Sequence, residues 1–199
     1  MRGPRPRRTS ALAPLLAPVV LLAVMWAVQI ADAVLPGSFT VWGLRSWDPS
    51  GLPGIVVGPL LHAGWAHLIG NSLPFLVLGA LVAVEGAGRF WLVTVVVAVV
   101  GGAGTWLLTP PGTVTVGASG LVFGFFAYVL CRVLVARSMG HRIAYALVAL
   151  VVMALYGGSM LAGIVAVPAG VSWQAHLFGA IGGIVAALLT RPRRTSPTP

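Results

Sequence analysis

The sequence contains no lysine, only three acidic residues (Asp32, Asp48 and Glu85) and a single cysteine, Cys131. With 8% charged residues, 58% hydrophobic residues and a mean hydropathy of +1.00, it has too little charge to clothe a soluble domain. One cysteine excludes an intrachain disulfide, and its place in an apolar run marks it as a packed core residue. No cofactor and no metal are expected.

The positive charge is all arginine, twelve residues giving a net charge of +9. A nucleic-acid partner would call for a basic face, but here the arginines flank and separate apolar runs. Arg2, Arg5, Arg7 and Arg8 precede the first run, and Arg191, Arg193 and Arg194 follow the last. That placement reads as membrane topology, with lipid as a partner and no nucleic acid.

A spanning helix needs ~20 mostly apolar residues, so 199 residues hold about six spans and little else. Six apolar segments are read at 11–35, 67–84, 90–108, 119–135, 143–167 and 173–190. Helix is the economical assignment, because an open strand edge leaves backbone groups unpaired in lipid. The fold class expected is all-α, a polytopic six-helix membrane domain over 11–190 with basic cytoplasmic tails at 1–10 and 191–199. The first run is longer than a signal-peptide core and is read as a retained helix. Eleven arginines fall on one side of these spans and Arg45 alone on the other, so both termini are expected to be cytoplasmic. Arginine as the sole basic residue, with abundant Ala, Gly and Val, suits a GC-rich bacterial genome and hence a bacterial plasma membrane. The connection 36–66, on the outer side, carries Trp42, Trp47 and Trp65 and is expected to be a structured piece in the membrane interface.

Spans two, four and six all start at the outer side, and their first residues include His67 and Asn71, Ser119, and Gln174 and His176. Polar groups are costly in lipid and face the protein interior, where they mark functional sites. His67 and Asn71, four apart, share a helix face and can donate hydrogen bonds toward one point, as an oxyanion requires. The same pair also serves as polar glue between helices. Ser119 stands in Gly117-Ala118-Ser119-Gly120, where small neighbours leave its hydroxyl accessible; a serine at a helix start is also an N-cap. The soluble-hydrolase G-x-S-x-G elbow is absent, since Leu121 fills its last position. His176 as a neutral imidazole can take the serine proton, or can make a structural bond to a carbonyl. Gly120 with Gly124, and Gly179 with Gly183, form two G-x-x-x-G faces that let these helices approach closely. Glu85 lies at the inner end of span two and Asp32 has no motif around it, so any hydrolase chemistry here uses a Ser-His dyad.

These positions resemble the rhomboid intramembrane serine proteases over nearly the whole chain. The family's His five residues before H-x-x-x-N matches His62, His67 and Asn71; its G-x-S-G matches Gly117 to Gly120; its H-x-x-G-x-x-x-G matches His176, Gly179 and Gly183. The resemblance implies Ser119 as nucleophile, His176 as base, and an oxyanion hole of the Ser119 N–H with the His67 and Asn71 side chains. It implies transmembrane protein substrates, and supporting roles for His62, Phe123, Gly117, Gly120, Gly179 and Gly183. Some members carry Tyr where this chain has Phe123, so a ring stack is kept and the phenol lost. Arg45 and Trp47 match the family's Trp-Arg pair only loosely, and Glu85 to Arg89 resembles its inner-side Glu, Gly and Arg. A non-catalytic rhomboid-like binder of membrane helices is the alternative. A transporter is disfavoured because the polar groups gather at the outer end.

Overall fold

The computed structural model describes residues 13–135, 138–165 and 170–191. The expected tails therefore lie outside the described residues, apart from Arg191. A turn of 3-10 helix at Ala13–Leu15 leads into α1 (Leu16–Val34). The long connection follows, with 3-10 turns at Phe39–Trp42, Pro49–Gly51 and Gly58–Leu60, a two-residue strand β1 (Leu44–Arg45) and the short helix α2 (Gly54–Val57). Then come α3 (Trp65–Ala83), α4 (Ala87–Leu108), strand β2 (Val114–Thr115), α5 (Ser119–Val135), α6 (Met139–Val165) and α7 (Trp173–Leu189).

All six apolar segments are helical, with α5 on its expected bounds and α7 one residue shorter. Among the described residues three helices are long and apolar enough to cross a membrane, Ala13–Val34, Trp65–Ala83 and Ala87–Leu108, beside shorter apolar helices at Ser119–Leu134, Arg142–Ala154 and Trp173–Leu189. The structure is mostly helical, as expected; beside the helices β1 pairs antiparallel with β2, Leu44 opposite Thr115 and Arg45 opposite Val114. The pairing satisfies backbone groups of two non-helical segments that would otherwise go unbonded.

Local chemistry sets the helix ends. Pro110 and Pro111 follow α4, and Thr109 before them is extended, at φ −91° and ψ 146°, the region that a residue preceding proline favours. Gly86, at φ +113°, makes the sharp turn between α3 and α4 that a side chain would strain. Ser172 caps α7 by accepting the Ala175 N–H at 3.2 Å.

Helix α5 is buried at every position from 121 to 129, the mark of a central helix. It packs on α3, α4, α6 and α7, and α7 also packs extensively on α4. Phe75, Phe90 and Phe125 are fully buried, with rings of Phe75 and Phe90 each 5.6 Å from Phe125. On the other side of α5 there is no room for side chains. A Cβ on Gly179 would run into the Gly120 carbonyl, and one on Gly183 into the Gly124 carbonyl. Gly101 of α4 meets the Gly179 backbone, with its Cβ position 3.3 Å from the Gly179 Cα. The expected glycine contact between the serine and histidine helices is thus present.

At the other end of the bundle Glu85 accepts from Arg132 Nε at 2.8 Å, from Tyr145 at 2.8 Å and from Tyr128 at 3.1 Å. Arg89 lies 3.9 Å from the same carboxylate and donates to the Thr190 carbonyl at 3.2 Å. One acid so ties the ends of α3, α4, α5 and α6, and Arg89 extends the tie to α7.

Gly183→Ala should lower stability by about 1–3 kcal/mol, since the new methyl overpacks a backbone contact that cannot yield. Gly88→Ala, at an open helical position, should cost nothing. Thermal unfolding in detergent distinguishes them, and equal melting temperatures would show that the α5–α7 approach is not tight.

Candidate active site

Ser119 is the first residue of α5, and the turn before it is held on three sides. Gly117 sits at φ +115°, a conformation that suits glycine, and its N–H donates to the Gly58 carbonyl at 2.9 Å. The buried Ala118 N–H donates to His62 Nε2 at 3.4 Å. Behind them, β2 is fixed to β1, and Ser46 exchanges bonds with Thr113 and Gly112 at 3.0 and 2.9 Å. The long connection therefore braces the serine turn.

His176 lies in the first turn of α7 and is 6% exposed. Its Nε2 is 2.9 Å from Ser119 Oγ, a full hydrogen bond between residues 57 apart in sequence. Phe123, four residues after the serine and on the same helix face, stacks on the imidazole with ring centroids 4.2 Å apart and planes at 4°. That stack fixes the ring plane, so Nε2 keeps its aim at the hydroxyl.

His67 and Asn71 come from one face of α3. The His67 ring lies directly against Gly117, whose missing side chain makes the room; a Cβ there would be 2.7 Å from His67 Nε2. The Ala63 N–H approaches His67 Nδ1 at 3.5 Å, an arrangement that leaves Nε2 to carry the proton. The Asn71 Nδ2 is buried and has no partner among the described residues, a donor held ready for a ligand. His67, Asn71, Ser119 and His176 all line one cavity of about 620 Å³, with Gly70, Val116 and Ser172 in its wall. The expected site residues are thus brought together, and the donors surround the start of α5, where helix N–H groups add to the positive field.

His62 stands behind this arrangement, 3% exposed, its ring edge-on to His67 at 5.1 Å. Burial, reinforced by the neighbouring His67, pushes its pKa down to about 4, so it remains a neutral acceptor for Ala118. Gly120, Gly179 and Gly183 act as described above, by bringing α5 and α7 together. The carboxylates are engaged elsewhere: Asp32 accepts the Phe39 N–H, Glu85 holds the far end, and Asp48 accepts from Ser50, which lowers its pKa. Among the described residues, no cluster of three or more His, Cys, Asp or Glu side chains could hold a metal.

The Rhomboid domain family matches residues 50–193. The chain belongs to the rhomboid family. An uncharacterized protein of Mycobacterium tuberculosis is 40% identical over 184 residues, covering 88% of this chain and 75% of its own length. An uncharacterized protein of Mycobacterium leprae is 39% identical over 185 residues, 88% of this chain and 71% of its own. A Bacillus subtilis protein named "Putative rhomboid protease YdcA" is 34% identical over 176 residues, 86% of this chain and 85% of its own.

In this rhomboid, sequence reasoning left the contacts of several supporting residues unread. Ser172, the cap of the histidine helix, has the ordinary signal of a serine just before an apolar run. Gln174, noted only as polar, donates to the Leu108 carbonyl at 3.3 Å and so fixes α7 to the end of α4. Trp47, at φ +61°, stacks on Trp106 at 5.6 Å, and Trp106 donates to the Asp48 carbonyl at 3.2 Å. Arg45 pairs with Asp48 at 3.9 Å on the surface of the same connection.

An unfolded histidine titrates near 6.5 and His62 near 4, so the unfolded chain takes up the proton first and this residue's contribution to stability falls as pH drops through that window. His62→Gln keeps an acceptor that does not titrate. Its melting temperature between pH 7 and pH 4.5 should fall less than that of the wild type; parallel loss would exclude His62 as the cause.

Proposed function

We propose that this chain is an intramembrane serine endopeptidase that hydrolyses peptide bonds in or near transmembrane segments of membrane-protein substrates. The observation that carries this reading is the 2.9 Å contact between His176 Nε2 and Ser119 Oγ inside a cavity that also holds the His67 and Asn71 donors. A packing serine and histidine need no open space beside them, and a binder of helices needs no aligned base.

In this mechanism His176 takes the Ser119 proton as Oγ attacks the scissile carbonyl. The carbonyl oxygen becomes negative and is held by the Ser119 N–H, His67 Nε2 and Asn71 Nδ2. His176 then protonates the leaving amine, and water releases the acyl group by the same path in reverse. The cavity supplies that water within an otherwise apolar bundle. The reading includes six crossings over 11–190, an outer connection at 36–66 and cytoplasmic tails at 1–10 and 191–199. It places the protein in a bacterial plasma membrane with its site toward the outer face, on the strength of the arginine distribution.

Ser119→Ala should abolish cleavage of a single-span substrate and labelling by a fluorophosphonate while leaving the fold intact. His176→Asn should lower cleavage by about a thousandfold or more. Phe123→Leu, which keeps bulk but loses the ring stack, should lower kcat about 3- to 10-fold. Undiminished cleavage by Ser119→Ala would remove this serine from the mechanism. A folded wild-type protein whose serine ignores the fluorophosphonate would favour a non-catalytic binder.

A further inference from the structure

The α3 wall of the cavity presents two donors, His67 Nε2 and Asn71 Nδ2. One turn further along the same face stands Pro74, for 67, 70, 71 and 74 follow the three-and-four spacing of one helix stripe. Pro74 is buried and lies inside α3. A proline there has no N–H to give the carbonyl of the fourth residue before it, and its ring pushes that carbonyl out of line. The residue so affected is Gly70. It lines the cavity together with Ser119 and His176, and nothing lies within 4 Å of its Cβ position. A helix carbonyl deprived of its ladder bond takes a partner from water or from a ligand.

We propose that the Gly70 main-chain carbonyl, released by Pro74, is the acceptor that orients the hydrolytic water. The proposal rests on the protease reading and concerns its second half. There the water oxygen attacks the acyl carbon and one of its protons passes to His176 Nε2. The bond from carbon to Ser119 Oγ then breaks, and His176 returns the proton to Oγ as the acid leaves. The second O–H of the water stays with the product and has no use for the base. Beside two donors, Gly70 gives it an acceptor and fixes the direction of attack. In the first half the nucleophile is Ser119 itself, so the carbonyl is not needed.

Pro74→Ala and Pro74→Leu both return an N–H to the helix and close the Gly70 carbonyl, and the leucine keeps the bulk. Ser119 is acylated with an activated nitrophenyl ester in detergent, and the return of fluorophosphonate-reactive serine measures deacylation. Both variants should deacylate about fivefold more slowly, the worth of one hydrogen bond, with fluorophosphonate labelling of the free enzyme unchanged and thermal stability no lower. Deacylation within about twofold of wild type overturns the proposal. So does slowing by alanine alone, which reports lost volume, or equal slowing of labelling, which reports a displaced oxyanion wall. A wild-type protein that accepts neither reagent would overturn the protease reading itself, and this proposal with it.

Discussion

The close approach of α5 and α7 is the constraint on which the rest of the structure depends. Ser119 and His176 sit on different helices, so the 2.9 Å contact between them depends on how those helices are held together. Glycines at 120, 124, 179 and 183 bring no Cβ of their own to the contact, so the Gly120 and Gly124 carbonyls lie where side chains at 179 and 183 would be. Gly101 of α4 extends the same contact, and α7 is held between two neighbours. Such packing supplies dispersion and no hydrogen bonds, which suits a bundle without a strong hydrophobic drive between its helices in lipid.

A second requirement is that the start of a buried helix stay open. The first N–H groups of α5 have no helical partners, and in an apolar surround they need other partners. The connection before α3 satisfies the two donors just ahead of them: Gly58 takes the Gly117 N–H and His62 takes the Ala118 N–H. Ser119, which follows them, lines the cavity. What looks like a peripheral loop therefore satisfies the backbone donors of the serine turn before the helix begins.

Much of this was legible in the sequence. Helix α5 was bounded correctly because Gly117 and the arginines beyond it punctuate the apolar run. Helices α4 and α6 begin earlier than hydropathy suggested, at Ala87 and Met139, since Arg89 and Arg142 interrupt the apolar pattern without interrupting the helix. Long arginine side chains reach toward polar surroundings from a helical backbone, so charge marks the membrane edge sooner than it marks the helix end. The four residues that line the cavity could be grouped from their places at the starts of three apolar segments and from their spacing. The β1–β2 pairing could not, because two residues are too few to show alternation. Nor could the bond from Ala118 to His62, which joins positions 56 apart through one backbone donor and leaves no local pattern.

The Glu85 cluster bears on how such a chain is assembled as it emerges. When α3 and α4 are in place, the carboxylate has only Arg89 nearby, at 3.9 Å. Its short bonds come from Arg132, Tyr128 and Tyr145, all supplied by segments synthesised later. A half-made chain thus holds an acid that is poorly compensated, and a misdocked later helix would leave it so. The short bonds of the cluster close only once α5 and α6 have brought these three side chains to the carboxylate.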